Sequence, residues 1–141
     1  MSRESRMFAG ILLIILPTVM YGGLTLLTML TSAAPGYNDN PVRHDLWRAG
    51  HAHAGVYLVL SLVMLRYADE AALPPFWKWL ARAGAPVAAI LIPAAFFLSV
   101  VSPDSKQPNG LINLAYVGAV FLAGAVLSLG VGLIRAARRS N

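Results

Sequence analysis

Hydrophobic residues occur along the chain in four long runs, which are separated by short polar stretches. The runs cover residues 7–30, 46–66, 76–101 and 111–134. Each holds about 20 residues or more, and at about 1.5 Å per residue a helix of that length crosses a hydrocarbon core of about 30 Å. The pattern predicts an all-α fold: an integral membrane four-helix bundle that forms one domain over residues 1–141.

Composition supports a membrane protein and excludes several kinds of chemistry. Only 12% of the residues are charged, about half of what a soluble domain carries. The pI is near 10.1, but the basic residues flank the hydrophobic runs and form no patch with interleaved aromatic residues, so no nucleic-acid partner is expected. Because the chain has no cysteine, disulfides, thiolate metal sites, iron–sulfur clusters and covalently attached haem are excluded.

The positions of lysine and arginine predict how the chain is oriented in the membrane. Eight of the eleven lie before the first run, on either side of the connection between the second and third runs, or after the fourth. By the positive-inside rule, both termini are then cytoplasmic and the polar loops at residues 31–45 and 102–109 are external. The chain is therefore expected to be a multi-pass protein of the cell inner (plasma) membrane, with the bilayer as a partner and its histidine end on the external side.

All three histidines lie near the external end of the second run, at His44, His51 and His53. Residues two apart on a helix point about 200° apart, so His51 and His53 cannot ligate one ion from a regular helix. Ionisable side chains below the membrane interface usually serve a function, and a neutral imidazole is the commonest metal ligand. His53, the deeper of the two, is the first candidate for a ligand, and His51 is the second.

Small residues surround these imidazoles and leave room beside them, namely Ala49, Gly50, Ala52, Ala54 and Gly55. That room admits either a neighbouring helix, which is the usual role of small residues in membranes, or a flat macrocycle. Tyr57 lies one turn below His53, where it either packs or bonds a cofactor group. Asp45 is predicted to cap the helix and Arg48 to extend towards the interface.

The first two runs resemble a known family. The stretches are YGGLTLLTML at residues 21–30, APGYNDN at residues 34–40 and AHAGVYLVLSLVM at residues 52–64. They are similar to the first two helices of the catalytic subunit of the haem–copper oxidase superfamily. The resemblance implies that His53 is an axial haem ligand near the outer face. That subunit has about twelve helices in three arcs of four, so the resemblance also implies a minimal four-helix relative that assembles as a homotrimer.

The leading hypothesis is a protein that binds haem b through His53, with His51 as the second candidate. The other axial position is then filled from a neighbouring subunit, which favours electron transfer, or stays open, which favours binding of a diatomic gas. The third and fourth runs contain no histidine, so this chain alone cannot form the family's oxygen-reducing centre. The sequence does not indicate a redox partner, and it leaves open whether the protein is an enzyme.

Two other hypotheses remain at this point. His44, His51 and His53 could form an external copper or zinc site shared between subunits, because imidazoles near an aqueous face suit those metals. Alternatively, the chain is a cofactor-free accessory subunit that packs against a larger membrane complex. A hydrolytic enzyme is disfavoured because no nucleophile motif is present, and a transporter is disfavoured because the deep segments carry no charge.

Overall fold

The computed structural model describes residues 1–139 as four long helices joined by short loops. They are α1 (Arg3–Thr31), α2 (Pro41–Ala68), α3 (Pro75–Leu98) and α4 (Leu114–Arg139), and a short 3₁₀ helix at Gly110–Asn113 leads into α4. No strand occurs within these residues. The prediction of an all-α chain with four helices is confirmed.

The start of α2 differs from the prediction and corrects the role of one residue. The helix begins at Pro41, five residues before the predicted start at residue 46. The Asn40 side chain accepts a hydrogen bond from the Arg43 amide, and Pro41 occupies the first helical position. Asparagine at the N-cap followed by proline is a favoured helix start. The prediction that Asp45 caps this helix is therefore wrong, and Asp45 lies inside it.

The four helices stand in a row in chain order. α1 packs against α2, α2 against α3 and α3 against α4, and a smaller contact joins α2 to α4. Within residues 1–139, α1 and α4 make no contact of comparable extent. The row is consequently open at both ends, and each of its two outermost helices packs mainly against one neighbour, α1 against α2 and α4 against α3.

Successive helices run in opposite directions, which gives the row two distinct ends. The Ser2 amide bonds the Asp69 carboxylate, and the Ala72 amide bonds the Gly132 carbonyl. These bonds hold the start of α1, the α2–α3 loop and the last turns of α4 together, at what we call the terminal end. The opposite end, where all three histidines lie, we call the histidine end.

Three of the four helices are long and apolar enough to cross a membrane, namely α1, α3 and the segment Gly110–Arg139 that contains α4. Much of the apolar surface of α1 and α4 is uncovered; Ile14 is 78% exposed and Val120 is 73% exposed. Such surface is unfavourable in water and natural in lipid. α2 has 28 residues, but its first half carries charged residues and the histidines, so by composition it is not among the three.

Close approach between α3 and α4 depends on small residues. A Cβ at Gly84 would lie 2.7 Å from the Cβ of Ala125, and one at Gly118 would lie 2.7 Å from the Ile92 side chain. Ala81, Ala85 and Ala125 are fully buried nearby. Since lipid gives helices no hydrophobic reason to associate, this tight packing supplies the attraction between them. As a result, α3 and α4 form a closely packed pair beside α2, which carries the histidines.

Candidate functional site

His53 lies on the side of α2 that meets α3. Its Nδ1 is 2.7 Å from the carbonyl oxygen of Ala49, one turn earlier. A carbonyl only accepts hydrogen bonds, so Nδ1 carries the proton and Nε2 keeps its lone pair. Nε2 has no hydrogen-bond partner among residues 1–139. The ring is half-buried and packs edge-on against Phe96 and Tyr57, with ring centroids 5.3 Å away in each case.

His51 lies on the opposite side of α2, against α1. A Cβ at Gly23 would lie 2.8 Å from His51 Nε2 and 2.9 Å from its Cε1, and a Cβ at Gly22 would lie 3.9 Å from Nδ1. The glycine pair therefore leaves the recess that the imidazole fills. Within the described residues, no hydrogen bond holds this ring. His51 and His53 thus meet different helices.

The two glycines predicted to leave room for a cofactor are in different situations. At Gly50 the space is filled by α3, because a Cβ there would lie 3.0 Å from the Phe97 ring and 3.2 Å from Phe96. At Gly55 a Cβ would make an ordinary contact, 4.0 Å from Val19 of α1. Of the two uses that the sequence left open, Gly50 serves the neighbouring helix.

His44 belongs to a polar and aromatic group in the first turn of α2. Its Nδ1 lies 3.1 Å from Asp45 Oδ1, and its ring is 4.9 Å from that of Tyr37. Tyr37 is almost fully buried, and this burial raises the pKa of its phenol. No group of three or more histidine or acidic side chains within residues 1–139 could hold a metal ion. One copy of the chain therefore does not assemble His44, His51 and His53 into a metal site.

A cleft of about 530 Å³ opens between α1 and α2 at the histidine end. His51, Arg48 and Asp45 provide its polar wall, and leucines of α1 provide the apolar one. Arg48 is exposed. The cleft contains His51 in its lining and not His53, so the two candidate imidazoles also have different surroundings.

Arg43 is a structural residue that the sequence reasoning treated only as a topology charge. It is 7% exposed and joins the two loops of the histidine end. One guanidinium nitrogen donates to the Gly36 carbonyl at 2.7 Å, the other donates to the Val101 carbonyl at 3.3 Å, and the group lies 3.9 Å from the centre of the Trp47 ring. Gly36 has a positive φ of 71° and packs against Pro103. Arg43 therefore holds the two loops of the histidine end together.

A second buried arginine organises the terminal end. Arg82 donates to Asp69 at 2.5 Å and to the hydroxyls of Ser5 and Ser2 at 3.2 and 3.3 Å. Ser5 and the Ser2 amide also bond Asp69. We call Ser2, Ser5, Asp69 and Arg82 the terminal cluster. Burial by itself would raise the pKa of Asp69, but these hydrogen bonds outweigh it and hold that pKa well below its usual range.

Comparison of the chain with protein-family models, with curated proteins and with solved structures finds no match in any of the three. The resemblance to the haem–copper oxidase subunit therefore stays a prediction.

Proposed function

We propose that the protein is a membrane protein that binds haem b, with Nε2 of His53 as an axial ligand. The observation that carries this proposal is the 2.7 Å bond from His53 Nδ1 to the Ala49 carbonyl. Imidazoles that ligate metals commonly donate their other ring N–H to a carbonyl or carboxylate, which fixes the tautomer and raises the basicity of the ligating nitrogen. The hydrogen bond between His53 Nδ1 and the Ala49 carbonyl has this arrangement.

The residues around His53 suit a flat apolar macrocycle. Phe96 and Tyr57 border the imidazole with ring edges, and the adjacent face of α2 is uncovered and apolar at Ala52 and Val56. In this proposal Ala49 orients the ligand, and Phe96 and Tyr57 hold its plane and exclude water. A bound haem would supply either one-electron redox chemistry or a site for a diatomic gas, depending on its second axial ligand.

The second axial position is assigned to another copy of the chain or left open. His51 faces α1, on the far side of α2 from His53, so it cannot complete the coordination at the same iron from the same helix. The row of helices is open at α1 and α4, and their uncovered faces offer surface for assembly. We propose that the protein assembles as a homotrimer with twelve helices. Such an assembly would place further copies of the chain against these uncovered faces.

We further propose that α2 is a fourth membrane span. It is packed between α1 and α3, both of which are apolar enough to cross a membrane, and its 28 residues reach about 42 Å. The lysine and arginine bias assigns the terminal end to the cytoplasm and the histidine end to the outside of the inner membrane. His53 would then lie below the external headgroups, as an axial ligand buried from water requires.

The test is an absorption spectrum of the full-length protein, purified in detergent and supplemented with haem. We expect a Soret band that is lost in His53→Ala and kept in His51→Ala, the matched control from the same helix turn. Loss in both variants, or in neither, would contradict the assignment of His53. Stoichiometric copper or zinc without haem would favour the shared metal site. Absence of every cofactor, with co-purification of a larger complex, would favour the accessory subunit.

A further inference from the structure

A second candidate site lies at the terminal end, on the far side of the molecule from the histidines. Two adjoining clefts between α3 and α4 share Leu73, Pro74 and Arg135 in their lining. One, of about 370 Å³, is mainly apolar and includes Trp77. The other, of about 390 Å³, includes Lys78 and Arg139. Together they form one amphipathic groove, which we call the basic groove.

The groove changes from apolar to basic along a single ridge of α4. Leu127, Val131, Arg135 and Arg139 follow one another at intervals of four residues, so they lie on one helical row. Leu127 is 68% exposed and Val131 is 45% exposed, so both present apolar surface at the groove. Over about 18 Å the row thus changes from apolar side chains, which can contact hydrocarbon, to basic side chains, which can bind an anion.

Within residues 1–139, no acidic side chain neutralises the charge of the groove. None of its three cations forms an ion pair within residues 1–139. The two acidic residues of the neighbouring loop are already engaged, Asp69 with Arg82 and Glu70 with Arg66. Neither Asp69 nor Glu70 lines the groove. An unpaired group of cations beside an uncovered apolar groove is complementary to a ligand with an anionic head and hydrocarbon tails.

We propose that the basic groove binds an anionic phospholipid, whose phosphate contacts Lys78, Arg135 and Arg139 and whose acyl chain lies along Trp77, Leu127 and Val131. This site is independent of the haem proposal, because it shares no residue with the histidine end. Basic side chains near an anionic membrane surface contribute about 1 kcal/mol each. Removing one should therefore weaken binding about fivefold.

The experiment uses native mass spectrometry of the full-length protein in detergent, titrated with phosphatidylglycerol or with phosphatidylcholine of the same chains. We expect tighter binding of phosphatidylglycerol, weakened about fivefold in Arg135→Gln and in Lys78→Gln. Arg138→Gln is the matched control: it removes the same charge from the same helix turn, and Arg138 does not line the groove.

Three outcomes would overturn the proposal. Equal binding of the two lipids would show that the charge of the headgroup does not contribute to binding. Equal weakening in Arg138→Gln and Arg135→Gln would mean that net charge acts and the groove does not. Displacement of phosphatidylglycerol by inorganic phosphate at equal concentration would identify a free-phosphate site instead of a lipid site. Circular dichroism of each variant verifies that the helices are retained.

Discussion

The terminal end contains two arginine–carboxylate pairs that have the same N–O distance but differ in burial and in the further hydrogen bonds that surround them. In both, the N–O distance is 2.5 Å. The side chains of Arg82 and Asp69 are 10% and 19% exposed, whereas those of Arg66 and Glu70 are 60% and 53% exposed. The pairs therefore allow a buried, hydrogen-bonded ion pair to be compared with an exposed one within one molecule, with Asp69→Asn as the perturbation and Glu70→Gln as its control.

We expect Asp69→Asn to destabilise the protein by about 3 kcal/mol, because removing one partner of a buried pair leaves the other charge uncompensated at a cost of roughly 3–5 kcal/mol. The Ser2 and Ser5 hydroxyls remain beside Arg82 and offset part of that cost. Glu70→Gln should cost less than about 0.5 kcal/mol, which is typical of an exposed pair four residues apart on a helix.

The difference in stability between the wild type and Asp69→Asn should depend on pH. The pKa of Asp69 is depressed in the folded protein, so its stabilising effect is fully present above the ordinary aspartate pKa of about 3.9 and is lost as the pH falls towards the folded value. The gap between the wild type and Asp69→Asn should be complete at pH 7 and should narrow below about pH 4.

The assay is reversible unfolding in mixed micelles of mild detergent and sodium dodecyl sulfate, followed by far-ultraviolet circular dichroism. Adding Arg82→Gln to Asp69→Asn should recover part of the lost stability, because the unpaired charge is then gone. Equal costs for Asp69→Asn and Glu70→Gln, or a gap unchanged between pH 7 and pH 3, would refute the argument from burial.

Two further predictions concern the histidine end. Gly23→Ala should destabilise the protein by about 1–3 kcal/mol, because its Cβ would collide with the His51 ring; Gly10→Ala, with open space around it in the same helix, should be neutral or slightly stabilising in the same unfolding assay. Arg43→Gln should free the two loops that Arg43 joins and speed their cleavage by added protease, whereas Arg48→Gln, which changes an exposed residue, should leave cleavage unchanged; equal rates would contradict the role of Arg43.

The helices were predictable because their signal is local. Long apolar runs gave four helices with ends within five residues of those observed. The error of five residues at the start of α2 arises because the stretch 41–45 is mostly polar, which favours a loop, although Asn40 followed by Pro41 is itself a helix-start signal. Polar residues indicate that a segment is in contact with water, but a helix can begin within such a segment.

The partners of the buried charges could not be predicted in the same way. Arg82 and Ser5 are 77 residues apart in the chain, and Arg43 and Val101 are 58 apart. The distribution of lysine and arginine predicts at which end of the helices each arginine lies. It contains no information about which atoms accept hydrogen bonds from the arginine. Helical periodicity likewise separated His51 from His53 by direction, while the identity of the helix facing each one depends on the three-dimensional packing.

The terminal cluster also bears on the order in which the molecule is completed during its synthesis. α1 leaves the ribosome long before the guanidinium that will hold Ser5 has been made, since 77 residues separate them. At roughly 5–20 residues per second, this interval lasts about 4–15 s. Throughout that time the start of the first helix lacks the hydrogen bonds from Arg82, although Asp69 is made earlier, and synthesis of the third helix completes the terminal cluster.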